Sequence, residues 1–238
     1  MSFPATHRSL VNRIRSGDAD AKSRARDLLA EVYWTPIYTY IRLDRHLQPA
    51  DAEDLTQGFF AEALRRDLFA RYEPTRARFR TYLRTCVDSY VVNARAAERR
   101  QKRGGGAAFL SLDAADAEHC LTTRPGRTPA PDEVFHRDWV RSVFSAALDR
   151  LGEQYRDAGR PVHLALFERY DVAGADDAVR PTYGELAAEY GIPVTQVTNW
   201  LAAARRDFRS AVLDTLRDLS GSDAEFRADA LSLLGIEP

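Results

Sequence analysis

Apolar residues recur along this chain at spacings of three and four, the period of a helix that turns one face to a core. Leu10 and Ile14, then Leu28, Leu29, Val32, Tyr33, Ile37, Tyr40 and Ile41, trace the first such stripe. Pro49-Ala50-Asp51 reads as a stop and a new start, with Asp51 as the N-cap of a helix whose stripe is Leu55, Phe59, Ala63 and Leu64. Pro74 breaks "YEPTRAR", Tyr72 to Arg78, into a loop. Phe79, Tyr82, Leu83, Cys86, Val87, Tyr90 and Val91 then open a helix that runs on into an arginine-rich segment, and Gly104 to Gly106 end the block.

Pro125, Gly126, Pro129 and Pro131 mark an extended linker in which only "FLSLD", Phe109 to Asp113, has the apolar content to dock on a surface. A second block begins near Asp132 with an amphipathic helix through Val134, Trp139, Val143, Phe144, Ala147, Leu148 and Leu151. "VHLALFERY" reads as a shorter helix, followed by an acidic, Gly-containing loop to Pro181, and the last twenty residues as a polar turn and a short helix. No strand-like alternation runs longer than a few residues, and no repeat is visible. The expected fold is all-α: two small helical bundles, at 8–103 and 133–218, joined by a linker at 104–132, with an extension at 219–238.

Composition changes this picture little. At 45% hydrophobic and 29% charged residues the chain has an ordinary soluble balance, and no apolar run approaches the roughly 18–20 residues of a spanning helix. The first residues lack an apolar core and a small-residue cleavage site, so no secretory signal, no membrane and a cytoplasmic location are expected. Cys86 and Cys120 have no paired spacing and are expected as free thiols.

Charge changes it more. The net charge of −1 conceals a basic segment holding Arg76, Arg78, Arg80, Arg84, Arg95, Arg99, Arg100, Lys102 and Arg103 against only Asp88 and Glu98. Acids concentrate at Asp51 to Asp54, Asp113 to Glu118 and Asp171 to Asp177. Such segregation fits a protein that meets phosphate with one face and something else with another, and it equally fits a solvated basic helix.

"TYGELAAEYGIPVTQVTNWLAAARRDFRSAVLDTL", Thr182 to Leu216, is the most informative stretch. Leu186, Ala187 and Tyr190 line a first helix, Gly191 supplies a corner, and a second helix starts near Thr195 with Val197, Leu201, Ala204, Phe208 and Val212 inward. This is the helix-turn-helix pattern, over 182–209, though two helices joined at a glycine also occur in any bundle. Thr195, Gln196, Thr198 and Asn199 carry groups able to hydrogen-bond base edges or phosphate, and Arg205, Arg206 and Arg209 follow along the helix.

"DAEDLTQGFF", Asp51 to Phe60, sets carboxylates at a helix start directly before an apolar stripe. Capping accounts for Asp51 and Asp54, at roughly 1–2 kcal/mol together. It gives no reason for Gln57 beside them. A metal or catalytic reading needs converging ligands, and His7, His46, His119, His136 and His163 are scattered with no HxxxH or HExxH pair. "RGGGA" lacks the Lys-Ser/Thr ending of a Walker loop, and no GxSxG elbow occurs, so neither an enzyme nor a cofactor is expected.

In order along the chain, these segments resemble a bacterial RNA polymerase sigma factor of the extracytoplasmic-function (ECF) type. "DAEDLTQGFFAEAL" is similar to that family's docking motif at Glu53, Asp54, Leu55, Gln57 and Phe60. "FRTYLRTCVDSYVVNARAAERRQKR" resembles its promoter-melting segment, and "YGELAAEYGIPVTQVTNWLAAARRDFR" its C-terminal helix-turn-helix. Ser89 and Asn93 stand where the family often has Asn and Asp, and Thr198, Trp200 and Ala203 stand at commonly basic positions. The residues at Asp171 to Arg180 are an insertion.

The resemblance implies a sigma-two-like domain at 8–103 and a sigma-four-like domain at 133–218, acting as a monomer when free. It also implies core RNA polymerase and promoter DNA, duplex and melted, as partners. The loop Tyr72 to Arg80 would grip a base of the −10 element, the helix-turn-helix would read the −35 element, and the linker would thread the polymerase near the RNA path. Tyr82 and Tyr90 would stack bases unless they belong to the core. Regulation in such proteins comes from an anti-sigma factor, a kinase acting on the docking helix, where Thr56 is the candidate phosphate acceptor, or a C-terminal extension packed on either domain, self-inhibition following if it covers the first. Two other readings remain open: a helix-turn-helix regulator acting without polymerase, and a sigma-like protein-interaction scaffold.

Overall fold

The computed structural model describes residues 14, 18–101, 130–173 and 180–236, the side chains of 98–101 excepted. Among them every regular element is helical, as the apolar periodicity predicts. In chain order these are α1 (Ala19–Asp44), α2 (Pro49–Arg65), a 3-10 turn (Leu68–Arg71), α3 (Phe79–Gln101), α4 (Pro131–Asp157), α5 (Pro161–Phe167), a π-helical turn (Glu168–Val172), α6 (Tyr183–Tyr190), α7 (Val194–Leu219) and α8 (Asp223–Leu234). "VHLALFERY" is therefore not one helix, because its last residues widen into the π turn.

The chain forms two compact units, one of Met1–Val143 with Leu216–Pro238, the other of Phe144–Thr215. The sequence drew its boundaries at 103, 132 and 218, whereas here residues 133–143 and 219–236 group with the first block. The linker positions 104–129 lie outside the described residues, and Pro131 and Asp132 already belong to α4.

In the first unit α1 packs on α2 and α2 on α3. Asp18 caps α1 by accepting from the Ala21 amide at 2.7 Å. Leu29, Val32, Tyr33 and Ile37 of α1, Phe59 of α2, and Phe79, Leu83 and Val87 of α3 are essentially buried, joined by Val134 and Trp139 of α4 and by Phe226 and Ala230 of α8. These are the predicted stripes, with the exception that α8 had no assigned partner in the sequence.

The N-cap of α2 is Gln48, not Asp51. Pro49 begins the helix, since its fixed φ and missing N–H suit the first helical position, and this moves the start ahead of Asp51. Asp51 lies in the first turn, where its charge still complements the helix dipole. Asp54 lies nearly a full turn further on, too far into the helix to act as a cap.

The second unit is organised by two apolar clusters. Leu151 and Tyr155 of α4 meet Phe167 of α5 and Ala204 of α7 in one, and Leu166, Leu186, Val197 and Leu201 bind α5, α6 and α7 in the other. Thr182 closes a full capping box on α6, its hydroxyl accepting from the Glu185 amide at 3.2 Å while Glu185 accepts from the Thr182 amide at 2.7 Å. Gly191 then turns the chain at φ 65°, a left-handed geometry that disfavours any Cβ.

Candidate partner and nucleic-acid surfaces

Helix α2 divides the "DAEDLTQGFF" motif by direction. Glu53, Leu55, Thr56 and Phe59 are buried, while Asp51, Asp54, Gln57 and, just beyond the motif, Ala61 and Leu64 are exposed, and Phe60 is partly so. Asp54, Gln57, Ala61 and Leu64 follow one another at three and four residues, which places them in one stripe. Of the expected docking residues, Asp54 and Gln57 thus face outward. Glu53 and Leu55 do not, because helical rotation carries those positions toward the core. The Gln57 amide donates to Glu53 Oε1 at 3.0 Å, which ties the exposed row to the buried one. Thr56, considered above as a phosphate acceptor, is buried and donates its hydroxyl to the Ala52 carbonyl at 2.7 Å.

The loop expected to grip a base has both of its aromatic ends buried, while Glu73, Pro74, Thr75, Arg76 and Arg78 between them are exposed. Tyr72 is 1% and Phe79 0% exposed, so neither ring faces solvent. Glu225 of α8 accepts from the Phe79 amide at 2.9 Å and from the Gly221 amide at 3.0 Å. The Tyr72 hydroxyl donates to the Ala77 carbonyl at 2.8 Å and stands 3.3 Å from Glu225 Oε2. Burial pushes the Glu225 carboxyl above its ordinary range, against the two backbone amides that favour its charged form.

Beside it, Arg80 donates to both oxygens of Asp229, at 2.7 and 2.8 Å, and its guanidinium lies 3.7 Å from the Trp139 ring centre. Arg78 reaches the same carboxylate at 3.8 Å. Arg84 pairs with Asp132 at 2.7 Å, and Arg76 with Glu73 at 2.6 Å. Tyr82 is half-buried and donates to the Leu68 carbonyl at 2.8 Å, which makes it a packing residue here, not a free stacking face. Tyr90 is also half-buried, with its ring edge-on to Phe59 at 5.8 Å. Arg95 is partly exposed on α3. Arg99 and Arg100 lie on the same helix with their side chains outside the described set, and Lys102 and Arg103 lie outside the described residues. A cleft of about 360 Å³ opens between α2 and α3, with Ser89 and Asn93 on its wall.

In the second unit Thr195, Gln196, Thr198 and Asn199 are all exposed at the start of α7. The Thr198 hydroxyl donates to the Val194 carbonyl at 3.1 Å, and Val194 is itself 48% exposed. Trp200 is turned toward α5, stacked on His163 with ring centres 4.2 Å apart, so it packs, as expected of an aromatic residue at helical spacing. Arg206 is exposed. Arg205 donates from Nε and Nη2 to Asp171 at 2.8 and 3.1 Å, so Asp171 neutralises a residue expected to meet phosphate.

The sequence did not reveal that Asp132, Asp171, Glu225 and Asp229 would be the partners of these basic and loop groups. One signal was available for α8: Glu225 and Asp229, four apart, share a face with the apolar Phe226 and Ala230, and carboxylates on a buried face require partners. Among the described residues no group of three His, Cys, Asp or Glu side chains is placed to hold a metal, and no helix is long and apolar enough to cross a membrane. Comparison with family models, with curated proteins and with solved structures finds no match to this chain.

Proposed function

We propose that this chain is a transcription initiation factor of the ECF sigma type, which binds core RNA polymerase and directs it to promoters. The observation that carries the reading is the division of α2: a buried row backs an exposed stripe of Asp54, Gln57, Ala61 and Leu64. A stripe with one carboxylate, one amide, a small alanine and an exposed leucine suits a protein partner better than it suits phosphate, because it offers apolar contact and no positive charge. Support for promoter contact comes from the exposed Thr195, Gln196, Thr198 and Asn199 after a left-handed glycine corner, the arrangement that presents a helix start to a major groove.

In this mechanism α2 docks on the polymerase and brings the basic face of α3 along the DNA, where each phosphate contact releases counterions. The loop Tyr72 to Arg80 captures an unstacked base of the −10 element, and α7 reads the −35 element. Run-off transcription with bacterial core polymerase on a genomic fragment library tests the proposal. Initiation at discrete sites that depends on the chain supports it, and initiation that the chain leaves unchanged contradicts it.

A second reading has one observation in its favour. Arg78, Arg80, Arg84 and Arg205 are each engaged by a carboxylate of the chain itself, as in a sigma-like scaffold that no longer touches DNA. Polymerase binding without any DNA contact under all salt conditions would select that reading.

A further inference from the structure

We infer that α8 occupies a phosphodiester-binding site on the first unit and must lift before nucleic acid enters it, an inference that rests on the proposed function. The site consists of Arg78, Arg80 and the Phe79 amide, with the Tyr72 ring beneath, and α8 engages each of these polar groups. Asp229 presents two oxygens to Arg80 in the fork geometry that a phosphate would use. Glu225 takes the Phe79 amide at 2.9 Å, as an anionic oxygen of a nucleic-acid backbone would. The helix therefore reproduces with two carboxylates the contacts that the loop offers to a charged backbone.

The seam has the physical character of an exchangeable contact. Glu225 and Asp229 are 5% and 4% exposed, so much of what α8 brings to the interface is buried charge, alongside the apolar Phe226 and Ala230. Buried ion pairs return little net stability, since desolvation offsets most of the attraction, and an incoming polyanion replaces them charge for charge. Close fit is required at one point: Gly221 lies so near the Tyr72 ring that any Cβ there would overlap it. Gly221 also donates to Glu225, so the turn before α8 and the carboxylate seat together.

The experiment is fluorescence anisotropy of a short fluorescein-labelled single-stranded DNA with the full chain at fixed salt. Gly221→Ala, a wedge against Tyr72, and Asp229→Asn, which weakens the fork, are each expected to bind about tenfold tighter, as when a site open in about one chain in ten becomes open in all. Adding Arg80→Gln to Asp229→Asn is expected to remove the gain. Folded variants with unchanged affinity overturn the inference. Should the variants unfold, hydrogen exchange on the unaltered chain decides. A Phe79 amide that exchanges through an opening of lower free energy than the amides of Leu83 and Val87 upholds a lifting α8, and exchange only with the whole unit overturns it. Polymerase binding is read separately through α2: tighter DNA binding by the variants with no polymerase binding retains the lifting of α8 and rejects the initiation factor.

Discussion

Arg80 and Asp229, 149 positions apart in the chain, form a two-pronged ion pair with bonds of 2.7 and 2.8 Å beside the Trp139 ring. Only 13% of the Arg80 side chain and 5% of the Asp229 side chain meet solvent, so the pair is weakly screened. A double-mutant cycle with Arg80→Gln and Asp229→Asn, followed by urea denaturation, is expected to give a coupling of about 2 kcal/mol. A coupling near zero would mean that the pair is not held in solution.

The carboxyl of Glu225 is expected to titrate above its ordinary value of 4.5, burial being the main cause. The groups facing it are the Tyr72 hydroxyl at 3.3 Å, Asp229, which raises it further, and the amides of Gly221 and Phe79 with the Arg80 charge, which lower it. Because the docked value is the higher one, the Glu225 contribution to docking is fully present below 4.5 and lost as pH rises through the docked value. Carbon-detected NMR titration of that side chain checks this, and a midpoint at or below the ordinary value contradicts it.

Asp171 restrains Arg205 on α7. Asp171→Asn is expected to tighten duplex DNA binding and to steepen its logarithmic salt dependence by about one unit, as one further phosphate contact forms. Anisotropy across a salt series reads both quantities. An unaltered slope would place Arg205 away from the DNA.

The capping box starts α6, and the glycine corner turns the chain between α6 and α7. Thr182→Ala is expected to cost about 1 kcal/mol of stability, and Gly191→Ala about 1–2 kcal/mol, in chemical denaturation of the full chain. Equal stability of Gly191→Ala would mean that the corner relaxes to another geometry.

The helix pair α6 and α7 was legible because its signals are local: Leu186, Ala187 and Tyr190 at helical period, Val197 and Leu201 after them, and Gly191 between; the capping box of Thr182 and Glu185 was not read there. The stripes of α1 to α3 were legible for the same reason. What escaped was long-range charge pairing. Arg80 reads as one more base in a basic run until Asp229 folds back onto it, and Arg205 reads as a DNA contact until Asp171 meets it. Glu53 shows a related limit, since a polar residue beside Asp54 reads as surface, yet helical rotation carries it inward and Gln57 supplies a partner. The start of α2 escaped because Pro49 was read as a break, although proline is well suited to a first helical position.

Docking of α2 on core RNA polymerase is decided by gel filtration of the chain with bacterial core enzyme, unaltered and as Asp54→Arg with Gln57→Ala. Both positions are exposed, so the double variant is expected to keep its fold by circular dichroism. The unaltered chain should co-elute with the polymerase and the variant should not. Folded, unaltered protein that fails to co-elute, or a variant that co-elutes as well as the original, would rule out docking through the Asp54–Gln57 face.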